Sequence, residues 1–174
     1  MAELGVLRVF CAEDMSGGNP LGVFLDGGAV PDERRQAIAH DLGFSETVFV
    51  DDRERGEMRI FTPSKELPLA GHPLVGTAWL LREVGSEVAT LHPPAGEVPV
   101  KFEAELCFCA ARPEWAPEFD FVEVESPAEV EGLSGPPEGF GNVGVWAWLN
   151  RDEGWIRERV FAPEEGILED EATG

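Results

Sequence analysis

Apolar and polar positions alternate from Val6 to Phe10 around Arg8, which predicts a β-strand. The turn residues Ser16-Gly-Gly-Asn-Pro20 follow, and a second short strand is expected over Leu21–Leu25. Pro31 to Leu42 reads as a helix: Pro31 suits the first helical position, Asp32 and Glu33 suit the positive end of the dipole, and Gly43 stops it. Strands are expected over Thr47–Val50 and Met58–Phe61, joined by a charged turn that ends in Gly56. A second helix is predicted over Leu74–Val84, opened by Pro73 and closed by Gly85. Its apolar residues Leu74, Val75, Ala78, Trp79, Leu80 and Leu81 cover most of the circumference, the pattern of a helix buried in a core. Val88–Leu91, Val98–Phe102 and Leu106–Cys109 complete the strand content of this half. A curved, mostly antiparallel sheet wrapped around one apolar helix satisfies both patterns.

Arg112 to Pro117 reads as a linker, and Phe119–Val124 as a strand. Ser126-Pro-Ala-Glu129 has the form of a capping box and opens a short helix. Val143–Leu149 and Trp155–Phe161 are expected to form a hairpin. One unit recurs: Arg59-Ile-Phe-Thr-Pro63 returns one hundred residues later as Arg159-Val-Phe-Ala-Pro163. The repeat predicts two similar lobes with a site between them, residues 1–111 with a central helix near 73–84 and residues 119–174. The second is expected to be an incomplete, truncated copy, without a counterpart of the apolar helix. Its sheet would leave an apolar face open, at a cost of roughly 25 cal/mol per Å².

Composition narrows the partners. Of 174 residues, 43% are hydrophobic, enough for a sizeable core. Thirteen basic residues against 34 acidic ones give a net charge of −21, which argues against nucleic acid and anionic membranes. A small-molecule substrate is the expected partner, and an anionic one would need strong local donors to overcome the global field. The N-terminus shows no basic region followed by an apolar run, and no apolar run reaches spanning length, so a cytoplasmic protein is expected. Cys107 and Cys109 alternate along a strand and face one side, while Cys11 stands apart, a pattern of free thiols rather than of a disulfide framework or zinc site. Phosphate-loop and dinucleotide fingerprints are absent, and no metal or organic cofactor is expected.

Three side chains are candidates for chemistry. Glu46 lies in Phe44-Ser-Glu-Thr-Val-Phe49 at the head of a strand. A carboxylate held among aromatics can carry protons near neutral pH, whereas a strand-end Glu at the solvent edge cannot. His72, in Gly71-His-Pro73 before the apolar helix, is either a neutral proton relay at a helix N-terminus or a cap. Gly71 would let a substrate approach the backbone. Asp170, within Glu169-Asp-Glu-Ala-Thr-Gly174, falls opposite Ala70 at a constant offset of one hundred; it is either a site residue or a solvated acid. Thr173 and Gly174 could form an anion-binding turn if a helix followed them.

In combination, Gly18-Asn19-Pro20-Leu-Gly-Val-Phe24, the Ser-Glu-Thr segment, the two Arg-x-Phe-x-Pro copies, Glu66-Leu-Pro-Leu-Ala-Gly-His-Pro73 and Glu169–Gly174 resemble the phenazine-biosynthesis PhzF-like family of the diaminopimelate epimerase superfamily. The resemblance is close up to about Ala111 and loose over 112–158. It implies an α+β fold of two lobes, each a curved sheet around a central helix, with the site in the cleft. It also implies cofactor-independent isomerisation, in which Glu46 moves a proton between carbons while His72 and Asp170 position the substrate and share the protons. Asn19, Gly71, Thr173 and Gly174 would bind substrate, and a homodimer is one expected assembly. Ala70 stands where superfamily epimerases carry a thiol, so two-thiol epimerisation is not expected. A catalytically impaired relative used for binding or assembly is the alternative.

Overall fold

The computed structural model describes residues 2–12, 14, 16–116 and 118–170. Strands β1 (Leu4–Val9) and β2 (Asn19–Phe24) pair antiparallel. Helix α1 (Asp32–Leu42) then carries the chain over to β3 (Glu46–Asp52), which runs parallel to β2. Antiparallel β4 (Glu57–Phe61) and the two-residue β5 (Glu66–Leu67) complete a five-stranded sheet ordered β1-β2-β3-β4-β5. Helix α2 (Gly71–Glu83) lies against one face of it. Strands β6 (Thr90–Leu91), β7 (Val98–Glu103) and β8 (Leu106–Cys109) form a small antiparallel sheet, and β8 packs on α2.

The period-two alternation of β3 sorts its residues onto two cores. Val48 and Val50 join Leu21, Val23 and Ile60 against Leu74, Ala78 and Leu81 of α2. Phe49 turns the other way, stacking on Phe24 at 5.0 Å and meeting Phe61 edge-on at 5.5 Å beneath α1. Full burial of Leu74 or Leu81 stabilises by about 1.5–3 kcal/mol each. At Gly76 the helix approaches the sheet so closely that a Cβ would lie 2.6 Å from Leu21 Cδ2 and 2.7 Å from Val9 Cγ2. The expected all-round burial of the helix holds except at its outer edge, where Trp79 is exposed.

After a short 3-10 turn at Pro113–Trp115, β9 (Asp120–Glu123), α3 (Pro127–Glu131), β10 (Val143–Asn150), β11 (Trp155–Ala162) and β12 (Ile167–Asp170) build a sheet ordered β12-β11-β10-β9. Ser126 caps α3, accepting the Glu129 N–H as its sequence predicts. The topology repeats that of the first sheet. A helix joins two parallel strands, β2-α1-β3 and then β9-α3-β10, and two antiparallel strands follow in each case. Arg59 grips Glu66 through two bonds of 2.7 Å and stacks on Phe61; Arg159 grips Glu169 and stacks on Phe161 in the same way.

Register corrects the repeat read at a constant offset of one hundred. Leu67 pairs with Ile60, and Asp170 pairs with Val160, so Asp170 is the counterpart of Leu67 rather than of Ala70. The second copy carries three extra residues, accommodated by a 3-10 turn at Pro163–Glu165 and Gly166. Gly166 has φ 80°, and a Cβ there would lie 2.8 Å from Ser64 Oγ. Two further expectations are adjusted. Strand β6 is limited to Thr90–Leu91, opposite Pro99, which has no N–H to donate. Helix α2 starts at Gly71, with Ala70 extended as its cap and the Leu74 N–H bonded to the Ala70 carbonyl. Pro73 therefore sits within the first turn, where its missing N–H leaves no bond unmade.

Candidate active site

Glu46 and Asn19 share the α2-facing side of neighbouring parallel strands, in step with Val48 and Leu21 respectively. Both strands begin where α2 begins. The earlier start of α2 puts His72 in its first turn, directly over these two residues. His72 Nε2 lies 3.1 Å from Glu46 Oε2, with the His72 side chain 2% and the Glu46 side chain 6% exposed. That burial excludes the solvent-edge alternative for Glu46. The pair is close, but it lacks the alignment of a hydrogen bond, so Glu46 Oε2 and His72 Nε2 both keep bonding capacity for another partner.

Both side chains line a cavity of about 400 Å³ between the two sheets. Its wall is otherwise largely apolar, including Leu67, Leu69, Phe119, Val160 and Ile167, with Asp170 from β12 and Glu165 from the 3-10 turn before it. Asp170 reaches the site because β12 is the edge strand nearest β2, and its Oδ1 accepts a hydrogen bond from Asn19 Nδ2. Asn19 is itself buried, and the same Nδ2 lies 3.4 Å from His72 Nδ1. The structure thus brings Glu46, His72, Asp170, Asn19 and Gly71 together. Thr173 and Gly174 lie outside the described residues.

Two further side chains at this cleft were not singled out from the sequence. Glu165 is buried, 2.9 Å from Lys65 Nζ, while its Oε1 accepts from Asn142 Nδ2 at 3.3 Å. Asn142 corresponds to Glu46: Thr47 pairs with Phe61 and Val143 with Phe161, so the residue before each takes the same place at the head of its strand. Ser64 Oγ donates to the Glu165 carbonyl at 2.8 Å and, with the Lys65 pair, ties the two lobes together through Glu165.

The thiols stand away from this cleft. Cys107 and Cys109 are free thiols that share one face of β8. Their mutual proximity, helped by Arg82, lowers the Cys107 pKa, and together with burial it raises that of Cys109. Neither thiol is among the cavity-lining residues. Among the described residues no helix is long and apolar enough to cross a membrane.

Two sheets that share a strand-helix-strand unit followed by two antiparallel strands, with a carboxylate–imidazole pair between them, are the two-lobe arrangement of the diaminopimelate epimerase-like fold. Residues 7–129 match the model of the phenazine biosynthesis-like (PhzC-PhzF) family, and the chain belongs to that family. It is 31% identical over 209 aligned positions to the trans-2,3-dihydro-3-hydroxyanthranilate isomerase of Pseudomonas aeruginosa, covering 97% of this chain and 74% of that protein. It is 41% identical over 110 positions to an uncharacterized isomerase of Pasteurella multocida, covering 59% of this chain and 38% of the other. Among solved structures, a phenazine biosynthesis PhzC/PhzF protein from Clostridium difficile superposes with a TM-score of 0.78 at 22% identity, over 100% of this chain and 78% of that one. Relatives from Pseudomonas fluorescens and Pseudomonas chlororaphis carry the same isomerase name.

Proposed function

We propose that this protein is a PhzF-type isomerase that moves a proton on a small carboxylate-bearing metabolite by acid–base catalysis, without a cofactor. The observation that carries the reading is the Glu46–His72 pair, 3.1 Å apart and buried on the wall of an apolar cavity. In this reading the Glu46 carboxylate takes a proton from an activated carbon and, after exchange with solvent, delivers a proton to another carbon of the same molecule. The net change is a shifted double bond with no proton gained or lost. His72 Nε2–H and the unpaired N–H groups of the first turn of α2 supply the local donors that an anionic substrate needs against a net charge of −21. Asp170 closes the opposite wall and shares in proton handling. The substrate of the Pseudomonas relative, trans-2,3-dihydro-3-hydroxyanthranilate, is the first candidate to assay. The test is incubation in deuterated water with wild type and Glu46→Gln: label enters the product only with wild type. Equal incorporation by both would remove Glu46 as the proton carrier.

A second reading, a binding or assembly protein, is favoured by one observation. On the face of the second sheet away from α3, Phe121, which also borders the cavity, and Ile156 are exposed at 67% and 43%. It predicts a dimer or a bound partner, and light scattering that reports a monomer with turnover rules it out.

A further inference from the structure

We infer that Asn19 is a positioning residue that holds His72 as its Nε2–H tautomer, and that the Asp170 carboxylate fixes Asn19 in the orientation this requires. The bonding capacities of the three groups lead there in sequence. Ionised carboxylate oxygens only accept hydrogen bonds. The Asn19 atom against Asp170 Oδ1 is therefore the amide nitrogen, because a flipped amide would set its oxygen against a carboxylate oxygen. An amide nitrogen only donates, and the same nitrogen lies 3.4 Å from His72 Nδ1. His72 Nδ1 must then be the unprotonated, accepting nitrogen, and the ring proton of neutral His72 resides on Nε2. That nitrogen is the one 3.1 Å from Glu46 that still has bonding capacity at the cavity wall. The order of groups is Asp170 on β12, Asn19 on β2, His72 on α2 and Glu46 on β3, so a carboxylate of one lobe sets the proton on an imidazole of the other.

The consequence deepens the proposed function and rests on it for its catalytic meaning: His72 meets the substrate as a hydrogen-bond donor, and Glu46 rather than His72 is the base that takes the first proton. The tautomer itself is measurable without any substrate. Nitrogen-15 spectra of ring-labelled histidine, taken above the ordinary histidine range, distinguish a protonated from an unprotonated ring nitrogen, and His72 is assigned by its loss in His72→Gln. The expected result is Nε2 protonated and Nδ1 bare in wild type. Asn19→Asp, which offers only acceptors, should move the proton to Nδ1 or give the imidazolium. Asp170→Asn, which can accept or donate, should give a mixture of both tautomers. A wild-type Nδ1–H, or a His72 spectrum unchanged in both variants, would overturn the inference. Failure of the deuterium assay with the expected spectra would instead refute the isomerase reading and leave the tautomer assignment standing.

Discussion

Replacing Glu46 with Gln should make this protein more stable while abolishing proton transfer. The side chain is 6% exposed, and its Oε2 lacks an aligned hydrogen bond although His72 Nε2 is 3.1 Å away. A buried polar group without a good bond costs about 1–3 kcal/mol, more when charged. Gln keeps the shape, removes the charge and can offer an amide oxygen to His72 Nε2–H. The variant should therefore gain about 1–3 kcal/mol, and each kcal/mol raises Tm by about 2–4 °C in a chain of this size. Thermal unfolding followed by circular dichroism, wild type beside variant, reads this directly. A fall in Tm of the same size would show that Glu46 is placed for the fold, and the argument for a destabilising, functional carboxylate would fail.

Other expectations follow from the same structure. Gly76→Ala should destabilise by about 1–3 kcal/mol in denaturant titration, because its Cβ would press on the buried side chains of Leu21 and Val9. The two hydrogen bonds from Arg159 lower the Glu169 pKa in the folded state, so the pair stabilises above the unfolded glutamate range and that stabilisation is lost as pH falls through the folded pKa. Glu169→Gln should accordingly show a shallower loss of stability in acid than wild type. Cys107, with its lowered pKa, should alkylate with iodoacetamide before Cys109, whose pKa is raised; peptide mass mapping of a partial reaction gives the order.

Most of the first lobe was legible because period-two strands and one apolar helix leave strong local signals. Strand β12 was not: Ile167-Leu-Glu-Asp170 carries no distinct alternation, and it exists because β11 offers an edge and Arg159 anchors Glu169. The Arg-x-Phe-x-Pro repeat was plain in the chain, but its continuation was misaligned by three residues, since a turn insertion changes spacing without disturbing either motif. Glu46 and His72 could be picked out from their motifs, while the contact between them depends on α2 starting at Gly71. Asn142 and Glu165 left no motif at all. Their place at the cleft follows from strand register and from a lobe contact through Ser64 and Lys65, neither of which a local pattern encodes.

The central claim is that Glu46 carries a proton between carbons of a bound metabolite. Mass spectrometry of product formed from trans-2,3-dihydro-3-hydroxyanthranilate in deuterated water, with wild type and Glu46→Gln side by side, tests it most directly. The account predicts solvent deuterium in the product of the wild type and unchanged substrate with the variant. Labelled product from the variant at the wild-type rate would contradict it.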